Sequence, residues 1–115
     1  MHELSIVDAL IEQTQAEIEN AGHNGRVLRL DLTIGRLSGV YCDSIRFGFE
    51  LLSKGTPLEG AELNITEPKA TCHCAACDAR VEIDEIVVQC PECGDGDVSI
   101  EGGRQLLLDS IELED

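Results

Sequence analysis

The fold of this chain is decided by residues 72–93, which read CHCAACDARVEIDEIVVQCPEC. Four of the six cysteines form two Cys-x-x-Cys pairs there, Cys74 with Cys77 and Cys90 with Cys93, and twelve residues separate the pairs. A Cys-x-x-Cys turn directs two sulfurs at one point, so two such turns joined by a hairpin form a tetrahedral four-sulfur site, the arrangement that zinc prefers. We therefore predict a zinc-ribbon module with these four cysteines as zinc ligands.

The residues that follow each pair favour the turns of a zinc knuckle. Pro91 fixes φ just after a cysteine, and Gly94 can adopt a left-handed conformation after the last one. Asp78 stands where the matching glycine of the first turn would be, and Asp is among the few other residues that tolerate this conformation. Because four cysteines leave no open coordination position, we expect the zinc to be structural.

Two disulfides or a redox dithiol are the competing interpretations of the pairs. A secreted disulfide scaffold normally follows a signal peptide, whereas this sequence begins with Met-His-Glu and an amphipathic pattern, without a basic start. A redox pair belongs at a strand-to-helix turn, whereas these pairs flank the strand-like segment 80–83. Zinc is therefore favoured.

Cys72 and His73 adjoin the first pair and offer two further donor atoms. Cys74 is preferred over Cys72 as a ligand, because only Cys74 has the two-residue spacing to Cys77. We interpret Cys72 and Cys42 as free thiols of a reducing cytoplasm, and His73 as an exposed neighbour of the site. The sequence alone leaves the roles of Cys42, Cys72 and His73 open.

Composition argues against two classes of partner. The chain has 8 basic and 23 acidic residues, a net charge of −15, with no Trp, one Tyr and two Phe. Nucleic-acid binding needs clustered Lys and Arg with stacking aromatic side chains, so we expect no nucleic-acid partner. No apolar run approaches the roughly 20 residues needed to cross a bilayer. We therefore expect a cytoplasmic protein without a membrane partner.

The rest of the sequence predicts a small body of helices and strands. Apolar residues at helical spacing predict a helix over residues 3–20, and alternation of Leu28, Leu30, Leu32 and Ile34 predicts a strand over 26–34. Asp43 is the expected N-cap of a second helix. A short strand around residues 63–66 and a last strand over 104–113 complete the series. Leu107, Ile111 and Leu113 are expected on one face of that last strand.

These elements predict an α/β (α+β) fold in which two helices cover a small three-stranded sheet, with the four-cysteine zinc-ribbon module inserted before the last strand. The predicted domains are residues 1–69 with 103–115, and residues 70–102. Gly102-Gly103 is expected to act as a hinge between them. The last strand returns only after this hinge, so we expect a monomer or a strand-swapped homodimer. No catalytic motif is present, which favours a protein that is not an enzyme.

Four stretches together resemble the HypA/HybF family of hydrogenase maturation nickel metallochaperones. They are residues 1–5 (MHELS), 30–35 (LDLTIG) and 47–51 (FGFEL), and the paired Cys-x-x-Cys motifs. The resemblance implies that residues 1–69 and 103–115 form a nickel-binding domain and residues 70–102 a zinc-binding domain. It also implies delivery of Ni(II), as cargo, to the large subunit of [NiFe]-hydrogenase, with a HypB-type GTPase as partner. Some relatives also serve urease, and the sequence does not decide this.

Carried over residue by residue, Met1, His2 and Glu3 match the nickel-binding start of the family, and the four paired cysteines match its zinc ligands. An α-amine, a deprotonated amide and an imidazole form fused chelate rings that suit square-planar Ni(II). Because these donors also bind protons, nickel affinity is expected to fall below about pH 6.5. The alternative is a structural zinc-ribbon adaptor that carries no metal cargo, and nickel affinity would distinguish the two.

Overall fold

The structure is a computed structural model that describes residues 2–23 and 25–114, with the side chain of His2 outside the description. Two helices and two three-stranded sheets, with strand orders β2-β1-β6 and β4-β3-β5, make up the fold. This confirms the predicted class of two helices, a small three-stranded sheet and an inserted cysteine module. The elements are α1 (His2–Asn20), β1 (Val27–Ile34), α2 (Cys42–Leu52), β2 (Glu62–Thr66), β3 (Ala70–Cys74), β4 (Arg80–Ile83), β5 (Val98–Glu101) and β6 (Leu106–Leu113).

Contacts divide the described chain into two compact units. The helical unit comprises the described residues as far as Leu32, Val40–Ile65 and the described residues from Leu108 onward. The cysteine unit comprises Thr33–Gly39 and Thr66–Leu107. The predicted domains, residues 1–69 with 103–115 and residues 70–102, stay a prediction. Within the described residues, neither helix is both long and apolar enough to span a membrane.

Helix α1 buries one stripe of its surface and ends at a glycine. Thr14 is fully buried, and its hydroxyl donates to the carbonyl of Leu10 at 2.8 Å, which satisfies the polar group inside the core. Glu3, although it carries a carboxylate, is only 8% exposed. Gly22 terminates the helix with φ of 71°, the left-handed conformation that glycine adopts freely. The buried apolar residues of α1 are Val7, Ile11 and Ile18.

Helix α2 packs against α1 through a glycine. A side chain added to Gly48 would lie 3.0 Å from Cδ2 of Leu4 and 3.3 Å from Cγ2 of Val7, so the two helices approach closely there. The expected N-cap at Asp43 is wrong. Tyr41 occupies the N-cap position without a side-chain cap, and Asp43 lies in the first turn, where its charge suits the helix dipole.

Two strands depart from the apolar faces predicted for them. In β1, Val27 is buried and Leu28 is 45% exposed, so the regular alternation begins only at Leu30. The N–H of Val27 donates to the carbonyl of Pro57 at 2.9 Å, which ties the start of the strand to a loop. In β6, an edge strand, Leu107 is 54% exposed, whereas Ile111 and Leu113, predicted on the same face, are half-buried.

The cysteine unit is built around β3, which pairs antiparallel with β4 on one side and β5 on the other. Cys72 lies opposite Val81 in one ladder and Ile100 in the other. The sequence predicted β4 but neither β3 nor β5. The buried core of this unit is small, and it consists of Ala70, Cys72 and Ile83, with Leu37, Val87, Val98 and Ile100 packed partly buried against them.

The Gly102-Gly103 segment is a packed turn and not an open hinge. Both glycines have positive φ, 72° and 76°. A side chain at Gly103 would lie 2.7 Å from Cβ of Ala70, a distance that real side chains do not reach. The carbonyl of Gly103 accepts the N–H of Leu37 at 2.6 Å. Residue 103 must therefore be glycine on two grounds, its conformation and the close approach of β3.

Candidate metal centres

The four paired cysteines converge on one point in the cysteine unit. The Sγ atoms of Cys74, Cys77, Cys90 and Cys93 all lie within 4.8 Å of one another. The closest pairs are Cys74 with Cys93 at 3.6 Å and Cys77 with Cys90 at 3.7 Å. A tetrahedral ion with metal–sulfur bonds of about 2.3 Å separates its sulfurs by about 3.8 Å. A disulfide would need about 2.0 Å. The spacing therefore fits four ligands of a metal ion.

Two matching turns position the sulfurs. The N–H of Asp78 donates to the carbonyl of Cys74 at 2.9 Å, and the N–H of Gly94 donates to the carbonyl of Cys90 at 2.9 Å. Asp78 has φ of 59° and Gly94 has φ of 79°. The expectation that Asp78 adopts the left-handed conformation in place of glycine is confirmed. The two pairs thus present their sulfurs through the same backbone geometry.

Backbone N–H groups around the second turn stabilise a thiolate. The N–H groups of Cys93 and Glu92 each lie 3.4 Å from Sγ of Cys90, and they lower the pKa of Cys90 to about 7. The N–H of Ala79 lowers the pKa of Cys77, but hydrogen bonds among the neighbouring thiols and burial outweigh it and raise that pKa to about 12. Four crowded sulfurs cannot all be negative without a cation, so the cluster is suited to a metal that replaces their protons.

Cys72 lies in the core of the cysteine unit, outside the sulfur cluster. It is 1% exposed, and burial raises the pKa of its thiol, which keeps it neutral. His73 points elsewhere, and its Nε2 lies 2.9 Å from a carboxylate oxygen of Asp78. This hydrogen bond lowers the pKa of Asp78. The structure therefore groups Cys74, and neither Cys72 nor His73, with the other three cysteines.

The donor set of the cluster fits a structural metal. Cys74 and Cys90 are buried, whereas Cys77 and Cys93 are exposed, so the site lies at the surface of a unit with a small core. Four thiolates are the donors that zinc prefers in closed sites. Among residues 2–23 and 25–114, with the side chain of His2 set aside, no other cluster of three or more His, Cys, Asp or Glu side chains has suitable spacing.

The predicted nickel ligands lie mostly beyond what the structure describes. Met1 and the side chain of His2 are outside the described residues. The backbone of His2 forms the first residue of α1, and Glu3 lies in its first turn. The first four N–H groups of an α-helix have no partner within the helix. The backbone amides of His2 and Glu3 are therefore free of the helical hydrogen-bond ladder.

Comparison with known proteins relates the whole chain to one family. Residues 1–113 match the family described as hydrogenase/urease nickel incorporation, metallochaperone, HypA. The chain is 39% identical over 117 residues to the hydrogenase maturation factor HypA of Chlorobium limicola, a match that covers 100% of this chain and 98% of the relative. It is 38% identical over 114 residues to the protein of the same name from Chlorobaculum tepidum, covering 99% and 100%.

The fold is also similar to a solved structure, the solution structure of the Ni metallochaperone HypA from Helicobacter pylori. The TM-score is 0.64 at 22% sequence identity, and the match covers 96% of each chain. At this identity the likeness concerns the fold alone. It extends through both the helical elements and the cysteine unit.

Proposed function

The chain belongs to the HypA family of nickel-incorporation metallochaperones, and we propose that it binds Ni(II) at its N-terminus and delivers it to the large subunit of a [NiFe]-hydrogenase. It is a maturation factor and not an enzyme. The single observation that carries the proposal is the family match over residues 1–113, which spans the Met-His-Glu start as well as both cysteine pairs.

The proposed nickel ligands are Met1, His2 and Glu3. The α-amine of Met1, the amide and imidazole of His2 and the amide of Glu3 supply nitrogen donors of the type that suits square-planar Ni(II). The position of His2 at the start of α1 supports this assignment. Because the first amides of a helix make no intrahelical bonds, an amide there can lose its proton to a metal without breaking the helix.

The proposed zinc ligands are Cys74, Cys77, Cys90 and Cys93. Zinc, when bound, supplies the folding free energy that a small core cannot, about 10–16 kcal/mol in zinc peptides. The sulfur–sulfur distances of 3.6 and 3.7 Å support this assignment. We place the protein in the cytoplasm, where reducing conditions keep unligated thiols such as Cys72 free.

The proposed partners are a HypB-type GTPase and the hydrogenase large subunit. The family description names urease beside hydrogenase, so urease is a second candidate acceptor of the nickel. The competing function is a zinc-ribbon adaptor without metal cargo. That alternative predicts no nickel site at the N-terminus. A measurement of nickel affinity therefore distinguishes it from the proposal.

Calorimetric nickel titration of untagged, zinc-loaded protein tests the proposal. Wild-type protein is compared with His2→Ala and with a variant that carries Gly-Ser before Met1, which removes the α-amine from the chelate. We expect tight binding of about one nickel by wild-type protein and at least a hundredfold weaker binding by both variants.

The matched control is His23→Gln. The ring of His23 forms hydrogen bonds with the carbonyl of Glu114 and the N–H of Gly25. Because His23 is not a proposed ligand, nickel affinity should stay unchanged in this variant. In a strain that lacks the endogenous protein, His2→Ala should fail to restore hydrogenase activity, and excess nickel in the medium should restore it. Wild-type nickel affinity in both N-terminal variants would contradict the proposal and favour the adaptor.

A further inference from the structure

The sulfur cluster combines exposed and buried sulfurs. Cys77 and Cys93 are exposed, whereas Cys74 and Cys90 are buried. Each Cys-x-x-Cys turn therefore has one sulfur that solvent reaches and one that it does not. The reactivity of a cysteine towards oxidants follows its thiolate character and its exposure. Cys77 and Cys93 are therefore the two members of the cluster that meet a reagent dissolved in water.

The charges of the cluster and of the whole chain select the class of reagent. The thiolate is the nucleophilic form of cysteine, and a metal site built from these residues keeps all four sulfurs as thiolates. The chain carries a net charge of −15, so anionic oxidants such as glutathione disulfide are repelled from its surface. A small neutral oxidant is not repelled, and hydrogen peroxide is the simplest member of that class.

Each exposed sulfur lies close to a buried sulfur of the other turn. Sγ of Cys93 is 3.6 Å from Sγ of Cys74, and Sγ of Cys77 is 3.7 Å from Sγ of Cys90. Both distances join the two turns, and neither joins the two cysteines of one Cys-x-x-Cys motif. We call a disulfide between one motif and the other a cross-turn disulfide. The geometry favours cross-turn disulfides, because each exposed sulfur has a buried partner within reach.

The two cysteines outside the cluster lack this arrangement. Cys72 is 1% exposed and lies in the hydrophobic cluster of the cysteine unit. Cys42 is half-buried in α2 of the helical unit. Neither combines exposure with a place among the converging sulfurs. Oxidation to disulfides within one molecule is therefore assigned to the four paired cysteines.

We propose that the cluster is a peroxide-sensitive site, where hydrogen peroxide converts the zinc ligands into the cross-turn disulfides Cys74–Cys93 and Cys77–Cys90 and thereby releases the metal. The zinc in this proposal rests on the proposed function, whereas the pairing rests on the distances and the exposure of the sulfurs. An oxidised cluster holds no zinc, because the metal ligands must be thiolates. A dithiol reductant restores the four thiols, so the site can be loaded again.

The oxidation takes two steps at each pair of sulfurs. The thiolate of Cys93 attacks one oxygen of hydrogen peroxide, so an S–O bond forms, the O–O bond breaks, and the departing hydroxide takes up a proton. The thiolate of Cys74 then attacks the oxidised sulfur. The S–S bond forms as the S–O bond breaks, and the second hydroxide also takes up a proton and leaves as water. Cys77 and Cys90 react in the same way, so two peroxides and four protons yield two disulfides and four waters.

Cross-turn disulfides keep the cysteine unit closed after the metal has left. They join residues 74 and 93 and residues 77 and 90, so the two turns stay connected. Such a link stabilises the fold by restricting the unfolded chain. Disulfides within the Cys-x-x-Cys motifs leave the turns unconnected, and the small core then has to hold the unit alone. Structure that survives oxidation therefore distinguishes the two pairings.

Peroxide oxidation of nickel-free, zinc-loaded, full-length protein tests this proposal. A chromogenic chelator measures the released zinc, and we expect about one equivalent after about two equivalents of peroxide. Hydrogen exchange of the β3 amides should stay slow in the oxidised protein. In reduced protein stripped of zinc by a chelator, the same amides should exchange at least about tenfold faster. A dithiol reductant followed by zinc should restore about one equivalent of bound metal.

Mass spectrometry of unreduced tryptic peptides identifies the disulfides. Trypsin places the two Cys-x-x-Cys motifs in separate peptides, residues 70–80 and residues 81–104. Cross-turn disulfides link these two peptides, whereas disulfides within a motif leave them separate. Further cleavage after Glu92 separates Cys90 from Cys93, and fragmentation of the linked peptides then assigns each pair.

Cys42→Ser is the matched control, since it removes a half-buried thiol that belongs to neither motif. Zinc release and the disulfides of this variant should equal those of the wild type. Any of three results overturns the proposal. They are zinc retained at about ten equivalents of peroxide, peptides 70–80 and 81–104 left unlinked in oxidised protein, and a link through any pair of cysteines other than the two proposed.

The zinc content before oxidation separates this proposal from the zinc assignment. If the protein carries about one zinc that peroxide does not release, the oxidation proposal falls alone. If the protein carries no zinc, the zinc assignment falls and the oxidation proposal falls with it. Nickel titration of the same protein before oxidation tests the N-terminal site independently of both.

Discussion

The helical unit and the cysteine unit are stabilised in different ways. The helical unit buries large apolar side chains such as Val7, Leu30, Ile45 and Leu58 almost completely. The hydrophobic cluster of the cysteine unit is built on three small or medium buried side chains, Ala70, Cys72 and Ile83. A core of that size cannot offset the conformational entropy of about fifty residues. The comparison shows that one unit is stabilised by apolar burial, and we propose that the other depends on a bond to metal.

Substitution of one exposed cysteine should therefore cause the largest loss of structure. We expect that loss to be confined to the cysteine unit. Cys93 is exposed, so Cys93→Ser removes a proposed zinc ligand without opening a cavity. We expect the zinc content to fall from about one equivalent to nearly none and β3–β5 to melt, while α1 and α2 remain folded. Metal analysis together with amide NMR spectra measures both. Loss of the helices as well would break the distinction between the units.

Cys72→Ser is the companion variant to Cys93→Ser. It replaces a buried thiol outside the sulfur cluster, so it should lower the stability of the cysteine unit but keep zinc at about one equivalent. If zinc disappears in Cys72→Ser and stays in Cys93→Ser, the ligand assignment is wrong.

A cavity in the core of the helical unit should cause the next largest loss of stability. Ile45 is 1% exposed, and Ile45→Ala should cost about 2–5 kcal/mol of unfolding free energy, as large-to-small core substitutions do. Zinc binding should be unaffected, because the cysteine unit does not depend on this core. Urea denaturation followed by helical circular dichroism measures the loss. A loss of unfolding free energy below about 1 kcal/mol would contradict stabilisation of this unit by apolar burial.

The paired glycines sharpen the comparison within the cysteine unit. Gly103→Ala adds a methyl group 2.7 Å from Ala70 and also disfavours the positive φ, so we expect about 1–3 kcal/mol of destabilisation of that unit. Gly102→Ala is the control, since its φ is equally positive but nothing lies within 4 Å of the added methyl group. It should cost only about 1 kcal/mol. Equal losses in thermal stability would mean that contact with β3 is unimportant.

Substitution of Asp31, in the sheet of the helical unit, should have the smallest effect on stability. Asp31 accepts hydrogen bonds from Ser110 and Asn64, and these bonds, with the charge of Arg29, lower its pKa. A lowered pKa adds stability that is present above the unfolded-state value near 3.9 and is lost as pH falls through the lower, folded-state value. Asp31→Asn should flatten the decline of the unfolding temperature below about pH 4. An unchanged pH profile would contradict this role.

The sequence predicted the elements whose side chains follow a clear period. Both helices and β1 are such cases, and spacing alone brought Cys74, Cys77, Cys90 and Cys93 together. Strand β3 was missed because Ala-Thr-Cys-His-Cys has Thr71 as its single β-branched residue and lacks Val, Ile, Phe, Tyr and Trp, although Ala70, Cys72 and Cys74 do alternate inward. The exposure of Leu28 could not be predicted, since it depends on the bond from Val27 to Pro57, thirty residues away.

The exposure of Phe47 on α2 was also not predicted from the sequence. Phe47 was noted only as part of a motif, because an apolar residue on a helix is ordinarily assigned to the core. The burial of Ile45, Gly48 and Phe49 shows which side of α2 faces inward, and Phe47 is 62% exposed. The absence of a hinge at Gly102-Gly103 likewise depends on the distant contact with Ala70.

The central claim is that two metals are held by two separate regions, nickel by the N-terminus and zinc by the cysteine unit. The direct measurement is the nickel and zinc content of wild-type protein, His2→Ala and Cys93→Ser after dialysis against both ions. We predict that His2→Ala loses nickel and keeps zinc, and that Cys93→Ser loses zinc and keeps nickel. Loss of both metals in either variant, or nickel retained by His2→Ala and lost from Cys93→Ser, would contradict the account.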